Sequence, residues 1–387
     1  MNPFPHIIAD EIARNFVLVV LIVLLIMSTF LVLTAIILRK KHERDEAYRL
    51  RKKEELYPLM LNYLDLDPGD RKAVEKAESD IIKRLKTARD LEVIEDLCLE
   101  IMYNIAGAEK LKLRQLLLIQ PLYTQRYRQL KSWKVENLIQ GCLYFVNVIN
   151  QRSNVLEQIF PLIENRSVLV LHTAASAIFA YDDVVTRGRA LKQVCMRTGI
   201  SEMALLELVY KFHNKEFDQM DEEVSELIGI ISDRSVPNVN RGVIIKSVAD
   251  IGYATMADYL HDMISGMHDT DNGVIANSLI HAMGRFEYTD AAGLLTEKFS
   301  SSPDVAIRET LADTLGKLGN TASIPVLIGM TADNDFGVRV RAVYALAALG
   351  KPGYEALRHM EGTEDEIQRI AASIIAQLET GKNKTEK

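Results

Sequence analysis

IRETLADTLGKLG, Ile307 to Gly319, lies over VRVRAVYALAALG, Val338 to Gly350, at an offset of thirty-one residues. Ile307 then meets Val338, Arg308 meets Arg339, Ala312 meets Val343, Leu315 meets Leu346, Leu318 meets Leu349 and Gly319 meets Gly350. At an offset of about thirty-two, an upstream copy matches through Leu279, Ile280, Met283, Gly284 and Phe286. One unit further back come Val243, Val248, Ile251 and Gly252, and downstream come Ile367, Ala371, Ala372, Ile375 and Leu378. Apolar residues at i, i+4, i+5, i+8 and i+11 mark helices. Second helices fall between them at Ile324 to Ile328 and Ala292 to Leu295. A pair of short helices cannot bury its apolar face alone, so such pairs stack on their neighbours. The expected fold is all-α, an α-solenoid of stacked helix pairs.

Further strings flank the copies. Asp304-Val305-x-x-Arg308 precedes Leu315-Gly316-Lys317-Leu318-Gly319 and Ser323-Ile324-Pro325-Val326-Leu327, and Asp335-Phe336-x-x-Arg339 precedes Ala345-Leu346-Ala347-Ala348-Leu349-Gly350. These strings resemble the short HEAT-like repeat named after phycobilisome lyases, over roughly Pro237 to Leu378. Longer HEAT units have periods of about 40–47 residues, so the short variety is the better comparison. The resemblance implies a structural ladder built by Asp304, Arg308, Asp335 and Arg339. Each Asp also suits a helix N-cap. From 91 to 235 helical patterns continue without the glycine and arginine marks of the later copies, and this stretch is expected to hold degenerate repeats.

The other decisive stretch is Phe16 to Leu38, twenty-three residues whose only polar members are Ser28, Thr29 and Thr34. As a helix it is roughly 34 Å long, enough for a hydrocarbon core of about 30 Å. Asp10, Glu11 and Arg14 before it, its length, and the basic residues after it favour a retained anchor over a cleaved signal peptide. Only Arg14 precedes the span, whereas Arg39, Lys40, Lys41, Arg44, Arg49, Arg51, Lys52 and Lys53 follow it. The positive-inside rule therefore places a short stub, 1–15, outside and the bulk of the chain in the cytoplasm. Arg39, Lys40, Lys41, Arg44, Arg51, Lys52 and Lys53 are the candidate membrane-surface residues, and Glu43 has no evident basic partner. The remaining expected boundaries are a juxtamembrane helix and hinge at 39–90, HEAT-like repeats at 236–380 and a polar tail at 381–387.

The 387 residues carry 46 Lys and Arg against 53 Asp and Glu, a formal charge of −7, which excludes a general nucleic-acid binder. That charge divides into −1 before the span, +3 over 39–55 and −9 beyond. Cys98, Cys142 and Cys195 are too few for a disulfide framework, and none forms a CxxC pair. An EF-hand requires Gly at position 6 and Glu at 12, and the turn starting at Asp269 has neither; capping turns explain both it and Asp333-Asn-Asp335. His261 and His268 are the closest histidines in the array, without an HExxH pair, and no Walker A, GxGxxG or GxSxG string occurs. Asp221-Glu222-Glu223 and Glu364-Asp365-Glu366 read as solvated first helical turns. Tyr63, Tyr123, Tyr127, Trp133 and Tyr144 read as core, with interface anchors as the alternative.

No catalytic, metal or cofactor site emerges. The expected function is a membrane-tethered helical-repeat scaffold that binds a protein partner at the cytoplasmic face; the alternative is a lyase-like enzyme or enzyme subunit, for which the resemblance is the only hint.

Overall fold

The structure is a computed structural model. It describes residues 4–67, 69–213, 219–267, 272–359, 367, 369–371 and 373, with 4–22 as backbone alone. The His268 to Asp271 turn, the Glu364 to Glu366 acids and the 381–387 tail lie outside the described residues. All regular structure among the described residues is helical. The chain divides into two compact units, 1–125 and 126–387.

The N-terminal unit is organised by α1 (Phe4–Asp65), which runs unbroken through the apolar stretch and the basic segment. It is followed by α2 (Arg71–Ile82), α3 (Ala88–Asn104), α4 (Ala108–Leu117) and the first half of α5 (Gln120–Gln129). Asp70 caps α2, and Thr87 with Asp90 forms a reciprocal capping box on α3. Leu56, Met60 and Tyr63 of α1 are buried, as are Ile81 of α2, Ile94 and Leu97 of α3 and Leu113 and Leu116 of α4. Lys112 Nζ donates to the carbonyls of Leu64 and Leu66, satisfying the C-terminus of α1. The last turns of α1 are core, so α1 passes from the basic segment into the body of the N-terminal unit without a break.

The C-terminal unit holds α6 (Val135–Val148), α7 (Leu156–Ile159), α8 (Val168–Phe179), α9 (Val184–Cys195), α10 (Glu202–Phe212), α11 (Met220–Ser232), α12 (Asn238–Ile251), α13 (Ala257–Ser265), α14 (Gly273–Arg285), α15 (Ala291–Phe299), α16 (Val305–Leu318), α17 (Ile324–Met330), α18 (Phe336–Ala348) and α19 (Lys351–Arg358). The even-numbered helices from α6 to α18 pack each on the next as one layer, while α9 packs on α11, α13 on α15 and α17 on α19. α12 buries Val243, Ile244, Ile245 and Val248 because it has neighbours on several sides.

Neighbouring helices of the layer approach closely at Gly284 and Gly316. A Cβ on Gly316 would stand 2.8 Å from the Ala345 Cα, and one on Gly284 would stand 3.0 Å from Thr314 Oγ1. Thr314 Oγ1 donates to the Ile280 carbonyl across the same contact. Gly252 and Gly319 end α12 and α16 at φ +98° and +67°, left-handed caps that suit glycine. Cys98, Cys142 and Cys195 are free and buried in α3, α6 and α9; burial pushes their thiols up, that of Cys142 to about 12.

Gly316→Ala should lower stability by about 1–3 kcal/mol through overpacking. Gly293→Ala, with nothing within 4 Å of the added Cβ, should raise it by about 0.5–1 kcal/mol. Thermal unfolding of the detergent-solubilised chain, followed by circular dichroism, separates the two; shifts of the same sign would refute the contact.

Candidate functional site

The parallel helices of the layer in the C-terminal unit bring their N-termini to one edge, and the ladder forms there. Asp304 accepts from the Ala306 amide and Asp335 from those of Gly337 and Val338, so each caps its own helix. Arg308 makes a two-pronged contact with Asp333, Nε to Oδ2 at 2.7 Å and Nη2 to Oδ1 at 2.8 Å, and also donates to the Ser302 carbonyl. Arg339 Nη1 donates to the carbonyls of Asp333 and Asn334. The rung between repeats is therefore Arg308 to Asp333, and Asp333 is the member that sequence reading missed. The Arg308 guanidinium holds the Asp333 carboxyl below its usual range.

A second, deeper contact lies at α9. Asp183-Val184-x-x-Arg187 repeats the capped-helix string, correcting the expectation that arginine marks are absent from 91–235. It escaped alignment because no Leu-Gly pair follows it and α9 lies outside the layer that holds α16 and α18. Arg187 is 0 % exposed and donates to Glu223 Oε1 at 2.7 Å, the Tyr181 carbonyl and Gln219 Oε1. Glu223, 1 % exposed, also accepts from Tyr253 OH at 2.5 Å, with His213 Nδ1 at 3.0 Å from the same oxygen. Asp221 and Glu222 are exposed as expected, but Glu223 is not a solvated cap. The cluster ties α9, the end of α10, α11 and Tyr253, just past the cap of α12, into one polar knot, a structural arrangement with both carboxylate oxygens of Glu223 engaged.

The same edge of the layer carries a row of exposed apolar side chains. Every layer helix begins with an exposed large apolar residue at its first or second position: Val135, Val168 with Leu169, Met203, Val239, Val274, Val305 and Phe336, between 38 % and 73 % exposed. Each sits within two residues of its helix cap, the one local signal that could have found it. Trp133, expected in the core, is 87 % exposed just before α6, with Lys134 Nζ 5.6 Å from its ring; Tyr63 and Tyr144 are buried. On the solvent face of the layer, ion pairs step between helices: Lys246 with Glu202, Arg285 with Asp250, and Arg341 with Asp313. Exposed pairs of this kind fix register more than they add stability.

In the N-terminal unit, the basic segment is divided. Arg49 binds Glu92 and Asp96, Lys53 binds Glu100, and Lys52 binds Glu55 and lies 3.7 Å from Asp90, which also accepts from Tyr48 OH. Arg51 Nε donates to the Ala47 carbonyl, and Arg39 pairs with Glu43, supplying the partner that Glu43 was expected to lack. Lys40, Lys41 and Arg44 are exposed. Cavities of about 410 Å³ beside Arg49 and Arg89 and about 580 Å³ beside Arg234, Arg241 and Asn272 gather no catalytic set, and no cluster of metal-ligating side chains occurs among the described residues.

The layered packing, capped helix starts and arginine rungs define a helical-repeat solenoid in the C-terminal unit. The family described as HEAT repeats matches residues 261–347 and 292–378, and this part of the chain is built of HEAT repeats. No curated protein matches the sequence. Among solved structures, the chain is similar to the complex of CpcE and CpcF of phycocyanin lyase from Nostoc sp. PCC7120, at 13% identity and a TM-score of 0.26, covering 66% of this chain and 94% of that one. It is also similar to the Pds5-Scc1 complex, at 11% identity and a TM-score of 0.30, covering 83% of this chain and 59% of that one.

Glu223→Gln should cost about 3–5 kcal/mol, since it leaves Arg187 buried without its counter-charge. Asp333→Asn should cost about 1–3 kcal/mol at pH 7. The depressed Asp333 carboxyl contributes stability that is complete above about pH 4 and is lost as pH falls through its lower folded value. Urea midpoints of parent and Asp333→Asn should therefore converge in acid; a constant gap would refute the rung.

Proposed function

We propose that the protein is a membrane-tethered scaffold whose repeats bind a protein partner along the N-terminal edge of the helix layer, with the bulk of the chain on the cytoplasmic side. The single observation that carries the tether is the exposure of the apolar run: the most hydrophobic stretch of α1 from Val23 onward is 0% buried, with Leu25, Phe30 and Leu31 among the most exposed side chains. A soluble core helix would bury that surface against protein, and an exposed apolar stretch of this size needs lipid around it. Continuity of α1 into the ion-paired half supports a retained anchor, because a cut after Leu38 would sever a helix the N-terminal unit is built on.

Support for partner binding comes from the row of first-turn apolar residues. Such positions are normally polar, and an apolar residue at the start of each of seven successive layer helices makes a row of partly exposed apolar side chains along one edge. A partner chain lying across the helix starts would cover it, and hot-spot energetics favour a strip of this kind over the charge-paired face.

Alkaline carbonate should leave the protein in the membrane fraction, and a cysteine placed after Arg358 should be labelled only from the cytoplasmic side. Val239→Glu with Val274→Glu should leave the circular dichroism unchanged and reduce partner capture from membrane extracts at least tenfold. An unchanged partner set, with folding intact, would remove the strip from the interface.

A further inference from the structure

The ion pairs of the N-terminal unit set the direction of α3. Asp45 pairs with Arg89, Arg49 with Glu92 and Asp96, and Lys53 with Glu100, so partners on both helices ascend together and α3 runs parallel to α1. The start of α3 therefore points toward the apolar half of α1. Arg84 Nη1 on Glu55 and Lys52 Nζ on the Arg84 carbonyl hold the turn before it farther along α1, beside Lys52 and Glu55.

This turn reads Lys83-Arg84-Leu85-Lys86-Thr87-Ala88-Arg89, and its four basic side chains are exposed. Asp45, the partner of Arg89, lies seven residues beyond Leu38, about 10 Å along a helix. That distance is close to the Debye length at physiological salt, about 8 Å, within which an anionic membrane surface attracts basic residues. Over residues 39–46 and 80–90 there are eight Lys and Arg against five acids. All five acids are engaged: Glu43 by Arg39, Asp45 by Arg89, Glu46 by His42, Asp80 by Lys83, and Asp90 by Tyr48. Lys40, Lys41, Arg44 and Lys86 have no protein acceptor among the described residues.

We propose that the start of α3, through Lys86 and Arg89, joins Lys40, Lys41 and Arg44 of α1 in one basic surface that rests on anionic lipid headgroups of the leaflet around the span. The inference rests on the tethering reading above and replaces Lys52 and Lys53, which are committed to the fold of the N-terminal unit, with residues more than thirty positions further along the chain. The nearby cavity is not the seat of a headgroup, because Asp45, Glu46 and Glu92 line it beside Arg49 and Arg89. The occupant is the bilayer surface itself, identified by the span that brings it within reach and by the sign of the unpaired charge.

The full chain carrying Ala88→Cys with a fluorophore is reconstituted in vesicles of neutral lipid, or of neutral lipid with 30 mol% phosphatidylserine, containing a headgroup quencher. The three native thiols are buried and stay unlabelled. Quenching should rise at least twofold with phosphatidylserine, fall back at high salt, and be lost in Lys86→Glu with Arg89→Glu, whose side chains are exposed. Quenching that ignores lipid charge in carbonate-resistant vesicles overturns the basic surface and leaves the tether standing. Protein that carbonate strips from the vesicles overturns the tether, and the surface with it. Lys86→Gln with Arg89→Gln, neutral rather than reversed, should give an intermediate loss; parent-like quenching in both variants also overturns it.

Discussion

Two neighbouring helices in the layer bring their backbones close where one of them carries almost no side chain. Gly284 against Thr314 and Gly316 against Ala345 meet that condition at the same place in successive repeats. With the backbones that close, Leu315 and Leu346 are driven into shared apolar space, Thr314 reaches the carbonyl of Ile280, and Arg308 arrives opposite Asp333. The repeat spacing, the alignment of helix starts and the strip of apolar residues along them all follow from that approach. Interactions of this kind couple each repeat to its neighbours alone, so the unit is assembled from near-identical local contacts.

The N-terminal unit is held by a different principle. One face of α1 alternates between apolar side chains sunk among α2, α3 and α4 and cations clasped by the acids of α3. A segment that reads as a uniform basic collar is thereby split by function: the part nearer the apolar run stays exposed, and the part farther from it is absorbed into the fold. Net charge over the segment could not have told the two apart, since the acids that neutralise Arg49 and Lys53 lie more than forty residues away.

The repeat period, the capped helix starts and the apolar run were legible because each is a local pattern with a physical period. The helix pairs over 236–359 follow the alignment of Ile307 with Val338 closely, and Asp304 and Asp335 cap as their positions suggest. The Arg187 and Glu223 contact was not legible: the two residues are 36 apart, and nothing in Asp221-Glu222-Glu223 distinguishes the buried acid from its solvated neighbours. Asp333 escaped for a related reason. It stands two residues before the cap, in a string that spacing alone could explain as a turn, and only tertiary placement brings Arg308 to it. Trp133 misled in the opposite sense, because a large apolar ring predicts burial and this one precedes the first layer helix in the open.

Cys98, Cys142 and Cys195 sit on three helices that answer to different neighbours, and each thiol is held in its protonated, unreactive form by the apolar groups around it. A thiol in that state can be alkylated only when its surroundings part. The chain therefore contains three built-in clocks for local opening, one in α3 and two in α6 and α9, so the rate at which each is modified dates the breathing of its own neighbourhood.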